Sequence, residues 1–584
     1  MVYGIDLGTT YSAITKLDDN GMPILIRNED EGTELLASAV YFSEDGQIVV
    51  GKNAKEQAEL EPERVIQFVK REIGKDNART WEFNGTPYDA ITISNLILKR
   101  MKEYAEKQGN IVKDVVITCP AYFGNEERAA TKQAGQIAGL NVLNIVNEPT
   151  AAAINYCSRE FAENRKILVY DLGGGTFDVT LLNFEVDENK KILIDIIASD
   201  GSDKLGGIDW DNRLFDFLCE KYGDATGIPR DEMEPELQQI IRTEVEQCKK
   251  DLTGLVKKTV NIRYAQKTPL IITREDFEEQ TKDLVAQTVA FIHDLLNKTN
   301  LTTNDIDTVL LVGGSTRMPM IETAVNSLFS GKVRVEDPDM AVAKGAALTA
   351  GIEWLENFNQ RKAAEENLNV TNIANEKNQV DNNDNDNFGI STFNQAPITA
   401  QEEEQAAAFM GMSNLGKISV VNDKLSRSFG PGVLADEQLT LYVIDNMLFL
   451  GDESPSELTN TYATVADNQP SLLIRVFENV STDKINRQIT PNLDADGNEQ
   501  YSDPMLKVKF LGDIRLNLPP QTPKGTPVEV FFRCSAVGLE VRATNPATGE
   551  SVDAVITSEN TKTREQIEEE KARFEKITTS GQID

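Results

Sequence analysis

Two short turns rich in glycine and threonine carry residue types that are suited to binding phosphate. Gly4–Thr10 and Tyr170–Thr176 each read as a short β-like run, an aspartate, a leucine and then small or hydroxyl residues, and they lie about 165 residues apart. Absent or small side chains let backbone N–H groups approach phosphate oxygens, and threonine hydroxyls add donors. The repeat predicts two related lobes that each present one phosphate-binding turn, with these candidates: Gly8, Thr9, Thr10, Gly173, Gly174 and Gly175.

Two aspartates precede these turns and suggest a metal site. Asp6 and Asp171 each stand near the predicted end of a strand. Because Mg²⁺ prefers oxygen ligands and usually keeps several of its waters, the two carboxylates are expected to hold Mg²⁺ through water. The alternative is that they only accept hydrogen bonds within tight hairpin turns.

A third glycine-bearing turn follows a predicted strand within Leu310–Pro319. Its two glycines permit flat, close contact with a base or a ribose. The Gly-x-Gly-x-x-Gly fingerprint of dinucleotide-binding folds and the P-loop pattern are both absent from the sequence.

A predicted helix over residues 233–252 has a polar stripe along one side. The stripe is made of Glu246, Lys249, Lys250 and Thr253, which recur at helical spacing. Taken alone, such a stripe indicates only a solvated face.

Composition excludes several other kinds of chemistry. The only histidine is His293, which removes Ser-His-Asp and Cys-His catalysis from consideration. The five cysteines form no Cys-x-x-Cys pair, which argues against a zinc site and a disulfide framework. A formal net charge of −35 argues against nucleic-acid binding. Neither a long apolar run nor a signal-like N-terminus is present, so no membrane association is expected and a cytoplasmic location follows by default.

The elements that must hold these turns change character along the 584-residue chain. Over residues 1–357, β-like runs alternate with amphipathic helices, which is typical of α/β architecture. Residues 358–416 are rich in Asn, Asp and Glu and predict a flexible linker. Residues 417–557 show a period of two with Gly, Pro and Asn turns, which predicts an antiparallel β-sandwich. Within 558–584, Thr563 and Gln566 predict a capping box for one short helix, expected against the sandwich edge.

Six motifs that occur in order give the first part of the chain a specific resemblance: Gly4–Ser12, Ile117–Phe123, Asn147–Ala153, Asp171–Val179, Leu205–Gly207 and Val312–Arg317. Together they resemble the nucleotide-binding domain of DnaK-type chaperones, the seventy-kilodalton heat-shock class, across most of residues 1–352. A looser match follows at Ala466–Gln469 and Phe510–Gly512. The resemblance implies an α/β actin-like, two-lobed ATPase domain, then an all-β antiparallel sandwich that binds peptides, and then a short C-terminal helix.

The resemblance implies catalytic roles for the residues that match the family's motifs. The resemblance implies that Lys70 contacts the γ-phosphate and orients the attacking water, and that Glu148 and Asp171 hold the Mg²⁺ shell. It also places Thr176 near the transferred phosphoryl group and Tyr11 among the phosphate-binding residues. Such a site would work by electrostatic positioning of an in-line displacement, with no covalent intermediate.

The same resemblance implies further binding residues. The adenosine would be held by Gly206, Gly207, Glu246, Lys249, Lys250, Thr253, Gly313, Gly314, Ser315, Arg317 and Asp339. Pro120 and Arg128 would relay the nucleotide state toward the β domain. The peptide groove would involve Val465 and Leu472, together with Leu439 and Leu441.

The function that the resemblance implies is that of an ATP-dependent chaperone, which hydrolyses ATP to ADP and phosphate to control the binding and release of unfolded or extended polypeptides. The implied cofactors are ATP or ADP with Mg²⁺, and K⁺ as an optional further cation. The implied partners are peptides, a J-domain cochaperone and a nucleotide-exchange factor. Three alternatives remain open: a heat-shock-like ATPase whose sandwich binds one dedicated partner, an actin-like filament protein, and a sugar or carboxylate kinase of the same superfamily.

The sequence also departs from the family pattern. Lys250 stands where the family has an arginine that stacks on adenine, and because an ammonium cannot stack as a guanidinium plane does, weaker nucleotide binding is expected. The segment between Gly74 and Leu96 is shorter than in most members, as in the HscC-type branch. The family's leucine-rich linker has only a faint counterpart at Ile418–Asn422. A single predicted helix after the sandwich is too little for the family's helical lid, so an uncovered peptide groove is expected.

Overall fold

The structure, a computed structural model of these 584 residues, describes residues 2–582 apart from 76–77, 159–162, 187, 189–191, 265, 336, 378–397, 413–417, 426, 435–441, 455, 494–498, 502–503, 536–537, 557–560 and 578. The helices are α1 Lys52–Gln57, α2 Ala90–Lys107, α3 Asn125–Ile137, α4 Glu148–Cys157, α5 Gly207–Thr226, α6 Pro235–Gly254, α7 Arg274–Thr299, α8 Pro319–Leu328, α9 Ala341–Lys377, α10 Ala400–Met412 and α11 Arg564–Glu575. No helix in the described part of the chain has both the length and the apolar composition that a bilayer crossing needs.

The strands fall into three groups. The first lobe contains β1 Val2–Asp6, β2 Tyr11–Leu17, β3 Pro23–Leu25, β4 Leu36–Ala37, β5 Ala39–Phe42, β6 Ile48–Val50, β7 Val65–Gln67, β8 Trp81–Phe83, β9 Thr86–Tyr88, β10 Asp114–Cys119 and β11 Asn141–Asn147. The second lobe contains β12 Arg165–Leu172, β13 Phe177–Val186, β14 Ile192–Ser202, β15 Lys257–Tyr264, β16 Gln266–Thr273, β17 Thr308–Val312 and β18 Val333–Val335. The remainder are β19 Ile418–Lys424, β20 Ser428–Leu434, β21 Tyr442–Asp445, β22 Glu453–Ser454, β23 Ser456–Ala463, β24 Ser471–Asn479, β25 Gln488–Ile489, β26 Pro491–Leu493, β27 Glu499–Tyr501, β28 Lys509–Asn517, β29 Pro527–Ser535, β30 Gly538–Thr544 and β31 Ser551–Ile556.

The two lobes share one strand pattern around their glycine turns. In the first lobe, β1 pairs antiparallel with β2 and parallel with β10. In the second lobe, β12 pairs antiparallel with β13 and parallel with β17. A strand with a parallel neighbour is usually covered on both faces, which explains why β1 and β12 read as almost continuous apolar runs. The repeated topology confirms the predicted two-lobed α/β architecture and puts Asp6 and Asp171 directly before equivalent turns.

Helix α9 runs through the boundary predicted after residue 357. Helix α10 packs back on α9: the ring of Trp354 stacks on Phe358 at 5.5 Å and meets Phe409 edge-on at 5.7 Å. Arg361 of α9 also pairs with Glu402 of α10 at 2.8 Å. These contacts make a helical hairpin of segments that composition alone assigned to a flexible linker. Residues 378–397 and 413–417 of that predicted linker lie outside the described residues.

The predicted antiparallel sandwich is confirmed between β20 and β31. One sheet has the order β25-β21-β20-β24-β28, and the other has the order β23-β29-β30-β31. Alternate residues of β29 are fully buried between the sheets: Val528, Val530, Phe532 and Cys534. Since successive side chains of a strand point to opposite faces, this burial accounts for the period of two in the sequence.

The sandwich is joined to both lobes. Strand β19 pairs in parallel with β14 at the edge of the second lobe's sheet, and the end of β19 pairs with β22, which directly precedes sandwich strand β23. On the side of the first lobe, the Asn125 amide of α3 donates a hydrogen bond to Cys534 Sγ at 3.2 Å, and Lys509 of β28 pairs with Glu126 of α3. The faint linker counterpart at Ile418–Asn422 is therefore a strand of the second lobe's sheet.

Helix α11 packs on the first lobe, so its predicted position at the sandwich edge is wrong. The predicted capping box is present, with the Thr563 backbone N–H donating to Gln566 Oε1 at 2.8 Å. Phe574 is fully buried in the core of the first lobe, and Ile567 and Ile577 pack against the same core. The capping box predicted a helix here, but a local signal does not say which neighbour the apolar face of that helix contacts.

A buried carboxyl at the junction of α3 and the sandwich makes their contact sensitive to pH. Burial raises the pKa of Glu478 from 4.5 to about 7; Arg427 and Lys509 oppose the rise, and Glu126 and Glu127 add to it. Because the folded state holds this proton more tightly than the unfolded state, the contribution to stability is fully present below about pH 4.5. It is lost as pH rises toward about 7.

We therefore expect Glu478→Gln to flatten the pH dependence of unfolding between pH 5 and pH 8. The shift in pKa corresponds to at most about 3 kcal/mol of unfolding free energy. Urea unfolding of both proteins at the two pH values measures it: wild type should lose stability relative to the variant as pH rises. Glu540→Gln, at an exposed position on β30, is the matched control and should follow wild type. A wild-type difference that Glu478→Gln leaves intact would contradict the assignment.

Candidate functional site

The two glycine turns face each other across the cleft between the lobes. A Cβ added at Gly174 would lie 2.2 Å from Thr10 Oγ1, and one added at Gly175 would lie 2.4 Å from Thr9 Cγ2. The second turn is closed by the Gly173 backbone N–H, which donates to the carbonyl of the buried Thr176 at 3.0 Å. Only residues without a side chain allow this approach, which explains the glycines. The structure thus brings the predicted phosphate-binding residues of both lobes together.

Arg71 fixes the second turn, and sequence reasoning missed it. Its guanidinium, in a short 3-10 turn over Val69–Arg71, donates to the carbonyl of Gly175 and to Asp209 Oδ2 at 2.9 Å. The same Asp209 oxygen accepts from the backbone N–H of Gly206 at 2.8 Å, at the start of helix α5. One arginine therefore links the first lobe to both the turn and a helix N-terminus, which is a setting that favours anions.

A buried lysine lies among carboxylates below the turns. Lys70 forms an ion pair with Glu148, and both side chains are at most one-tenth exposed. Asp6 accepts a hydrogen bond from Thr118 Oγ1 at 3.0 Å. Asp171 is buried at the end of β12. The sequence-predicted catalytic and metal residues are thus neighbours in one cluster, and their charges act on one another.

Asp178 is a fourth carboxyl of this cluster that sequence reasoning missed. It is buried, its Oδ1 accepts from the backbone N–H of Ala121 at 3.0 Å, and its Oδ2 has no hydrogen-bond partner. Its place opposite Asp171 in the β12–β13 pairing was the available signal. A strand residue directly opposite a functional one lies close to it.

The charged forms of three carboxyls in the cluster are disfavoured, which raises their pKa values. Burial and the charge of Glu148 raise the pKa of Asp6 to about 7. Burial and the same neighbour also raise the pKa values of Asp171 and Asp178. For Lys70, burial lowers the pKa, but Glu148 and Asp6 outweigh it and the pKa is raised. Ionising all four carboxyls beside one ammonium is therefore unfavourable, and a bound cation would favour their charged forms.

The donor set fits a hydrated divalent cation. Among the residues that the structure describes, no three acidic, histidine or cysteine side chains converge closely enough to ligate a bare ion. Mg²⁺ usually keeps several waters and takes one or two carboxylates together with phosphate oxygens. The cluster lies directly below the two glycine turns, and some of its buried carboxyl oxygens lack a hydrogen-bond partner. This arrangement suits that mode of binding.

The polar stripe on α6 closes the cleft from the second lobe. Tyr11 donates to Glu246 Oε1 at 3.0 Å, and the Lys55 and Lys250 ammonium groups each lie 5.0 Å from the centre of the Tyr11 ring. Burial would raise the pKa of Glu246, but Lys55 and Lys250 outweigh it and lower it to about 2. Lys249, which directly precedes Lys250, donates to the carbonyl of Gly207 at 3.0 Å. The stripe therefore lines the same cleft as the glycine turns.

Lys55 also contacts the stripe, and sequence reasoning missed it. Lys55, on helix α1 of the first lobe, forms an ion pair with Glu246 of the second lobe. This contact between lobes has no signal in local spacing, since the two residues are 191 positions apart. Thr253 lies at the end of the stripe, where its hydroxyl donates to the Lys250 carbonyl at 2.7 Å.

The third glycine turn reaches the same site from β17. Gly313 has a φ of 82°, which favours glycine, and a Cβ there would lie 2.4 Å from the Leu172 carbonyl oxygen. Ser315 Oγ donates to the carbonyl of Gly173 at 2.9 Å, which ties this turn to the second phosphate-type turn. Arg317 pairs with Asp339, and a Cβ at Gly314 would lie 2.7 Å from Asp339 Oδ1. The structure therefore brings the predicted adenosine residues to one wall of the cleft.

Pro120 and Arg128 lie between the site and the sandwich. The Pro120 carbonyl accepts from the backbone N–H of Phe123 in the turn that leads into α3. Arg128 of α3 is buried and donates to Asn147, the residue before Glu148. The first turn of α3 also contacts the sandwich. This one helix therefore contacts both the sandwich and the residue next to Glu148 in the site.

The predicted peptide-groove residues are only partly described. Leu439 and Leu441 lie outside the described residues. Val465 is half-buried, and its backbone N–H donates to Gln469 Oε1 at 3.0 Å. Leu472 is half-buried and packs against the sandwich core. The structure thus puts Val465 and Leu472 on either side of one turn of the sandwich.

Comparison with known proteins agrees with this architecture. The family model described as Hsp70 protein matches residues 2–407. The chain is 42% identical over 362 residues to proteins named "Chaperone protein DnaK" from Thermotoga petrophila and Thermotoga maritima, covering 60% of this chain and 59% of each relative. The protein of the same name from Thermosipho melanesiensis is 40% identical over 360 residues, with the same coverage.

The fold and the site define a class of protein: it has a two-lobed α/β domain, in which two glycine turns face each other, followed by an antiparallel sandwich. The family match covers well over half of the chain. The chain belongs to the Hsp70 family. It spans about three fifths of the length of the curated relatives that it matches.

Proposed function

We propose that this protein is an ATP-dependent molecular chaperone that hydrolyses ATP to ADP and phosphate and thereby controls the binding and release of unfolded or extended polypeptides. One observation carries the proposal: the glycine turns of both lobes meet above a buried lysine–carboxyl cluster, in a chain whose sandwich follows a strand, β19, that pairs with the second lobe's sheet. The relatives' name, chaperone protein DnaK, supports the same conclusion.

In the proposed reaction the protein positions charge and forms no covalent bond. The backbone N–H groups of the turns that contain Gly8 and Gly174 bind the β- and γ-phosphates. The Lys70 ammonium orients the attacking water and stabilises charge that develops on the γ-phosphoryl group. Asp6 and Asp171 would hold Mg²⁺ through its waters, and the ion would supply positive charge to offset that of the phosphates.

Adenosine occupies the wall formed by α6 and the third glycine turn. Glu246 and Lys249 offer polar contacts to the ribose, and Gly314 and Ser315 allow flat contact with the base. Lys250 is engaged with Glu246 at 2.7 Å. It cannot cover the base as a guanidinium plane would, so modest nucleotide affinity is expected.

Peptides are the proposed ligands of the sandwich, near Val465 and Leu472, by addition of an extended strand with side chains in apolar pockets. The contact of α3 with both Asn147 and the sandwich supports a relay through Pro120 and Arg128. A J-domain protein and a nucleotide-exchange factor are the proposed partners for the ATPase cycle, with K⁺ as an optional second cation.

The test is the rate of ATP hydrolysis by the full chain with and without a panel of extended hydrophobic peptides. The proposal expects basal turnover that several unrelated peptides change and that unlabelled peptides compete for. Turnover that no peptide alters would point to a heat-shock-like ATPase with one dedicated partner. Absence of ATP hydrolysis, with correct folding shown by circular dichroism, would contradict the ATPase assignment.

A further inference from the structure

A strained residue directly precedes the 3-10 turn that contains Lys70 and Arg71. Phe68 has a φ of 62° and a ψ of 24°, in the left-handed region. A bulky residue is an outlier there, because its Cβ crowds the following carbonyl oxygen, and such outliers persist only where the surrounding structure fixes them. We propose that Phe68 is a positioning residue for ATP hydrolysis, whose left-handed backbone directs Lys70 into the buried carboxyl cluster. The inference rests on the proposed function.

The backbone is fixed on both sides of Phe68. Strand β7 ends at Gln67, which pairs with Ala39 of β5. The 3-10 turn begins at Val69, and the backbone N–H of Arg71 donates to the Phe68 carbonyl at 3.0 Å. Only one residue lies between the last paired residue of the strand and the first residue of the turn. The whole change of chain direction therefore falls on Phe68.

The side chain of Phe68 does not account for this conformation. The residue is 37% exposed, so it is not a core residue whose burial would fix the backbone. The residues that follow it are engaged instead. Lys70 is 5% exposed and paired with Glu148, and Arg71 donates to the Gly175 carbonyl at 2.9 Å. These contacts, rather than those of the phenyl ring, offset the strain.

The turn after Phe68 sends two consecutive side chains in different directions. A 3-10 helix has three residues per turn, so neighbouring side chains point about 120° apart. Lys70 reaches Glu148 at the start of α4, whereas Arg71 reaches Asp209 of the second lobe at 2.9 Å. The backbone angles of the residue before the turn set how the turn is rotated about its axis. A different conformation at Phe68 would therefore move the Lys70 ammonium away from its place in the cluster.

A second left-handed residue bounds the segment at its other end. Gly74 has a φ of 69°, and a Cβ there would lie 2.6 Å from Glu127 Cα of α3. Glycine adopts this conformation without strain, and the close approach of the two backbones leaves the segment no room to shift along α3. Residues 69–73 are thus held between two reversals of the chain, and of these two only the reversal at Phe68 is strained.

The test separates the backbone of Phe68 from its side chain. Phe68→Asn and Phe68→Gly lose the phenyl ring but tolerate the left-handed region, so both should hydrolyse ATP within about threefold of the wild-type rate. Phe68→Val stays apolar, but its β-branched side chain opposes that region. It should be about ten- to hundredfold slower, since a displacement near 1 Å at reacting groups can have that effect. Single-turnover phosphate release measures these rates.

Two further measurements show whether Phe68 acts through Lys70. Titration with a non-hydrolysable ATP analogue should give affinities within about threefold of wild type for all three variants, because the lost interaction belongs to the transition state. Phe68→Val combined with Lys70→Ala should hydrolyse ATP within about twofold of the rate of Lys70→Ala alone, since the effects of coupled residues do not add.

Asn300→Val is the matched control. Asn300 has a φ of 54° and is exposed at the end of α7, so valine there introduces similar strain outside the cluster. This variant should keep the wild-type rate of hydrolysis even if it is less stable. If Phe68→Val does not fold, Phe68→Thr, which is smaller and also β-branched, replaces it with the same expectation.

Three outcomes would overturn the inference and leave the ATPase assignment intact. They are a wild-type rate for the folded β-branched variant, slow hydrolysis by Phe68→Asn and Phe68→Gly that are folded by circular dichroism, and losses that multiply when Phe68→Val is combined with Lys70→Ala. Absence of hydrolysis by the wild-type chain would instead overturn the ATPase assignment, and this inference with it.

Discussion

Replacing Lys70 with alanine is expected to lower the rate of ATP hydrolysis by about two to three orders of magnitude while ATP still binds. Lys70 is the ammonium of the buried cluster and is paired with Glu148. Without it, the pKa of Asp6, already about 7 in the wild type, should rise further, because Lys70 is one of the groups that lower it. The variant then loses both the charge that orients the attacking water and part of the ionised carboxylate set.

Single-turnover phosphate release measures the rate, and calorimetric titration with a non-hydrolysable ATP analogue measures binding. Lys75→Ala is the matched control, because Lys75 is a nearby lysine, about one-third exposed, that pairs with Asp203 at 2.6 Å. It should hydrolyse ATP at close to the wild-type rate. Lys70→Arg keeps the charge but changes its geometry, and an intermediate rate is expected. Hydrolysis by Lys70→Ala at the wild-type rate would show that the catalytic assignment is wrong.

The parts of the fold that could be predicted are those with a local signal. The repeated turn sequence contains the information that two strands, each followed by an aspartate and a glycine turn, are equivalent, and the structure has that symmetry in β1–β2 and β12–β13. The period of two in β29 reports alternate burial directly. The capping box at Thr563 is likewise a property of four consecutive residues.

The parts that could not be predicted depend on contacts between distant segments. Lys55 meets Glu246, and Arg71 meets Gly175, only because the lobes face each other. The low hydrophobicity around residues 358–416 suggested a tether, yet Phe409 is buried against Trp354 in a helical hairpin. Composition averages over a window and so hides a few apolar residues that are enough to fix a helix.

The position of α11 shows the same limit. Thr563 and Gln566 predicted a short helix, and the nearest folded neighbour in sequence is the sandwich. The helix instead covers the core of the first lobe, where Phe574 is fully buried. Tertiary packing decides among surfaces that the sequence pattern treats alike.

Alanine at Gly175 is expected to lower both ATP affinity and turnover by about 100-fold, because a displacement near 1 Å at reacting groups can have that effect. The new Cβ would lie 2.4 Å from Thr9 Cγ2 and 2.8 Å from Thr9 Cβ. Gly175 is not in the left-handed region, so the effect arises from space and not from backbone strain. Thr9 is buried and cannot swing away, so the two turns must separate and their N–H groups no longer converge on one set of phosphates.

Equilibrium binding of a fluorescent ATP analogue and steady-state phosphate release measure the two effects. Gly254→Ala is the matched control, because a Cβ at Gly254 would meet nothing within 4 Å and its φ is outside the left-handed region. It should bind and hydrolyse ATP like wild type. Combining Gly175→Ala with Thr9→Ser removes the nearest atom, Cγ2, and should recover part of the lost affinity. If Gly175→Ala bound ATP as tightly as Gly254→Ala, the apposed turns would not be the phosphate site, and the cleft would need a different ligand.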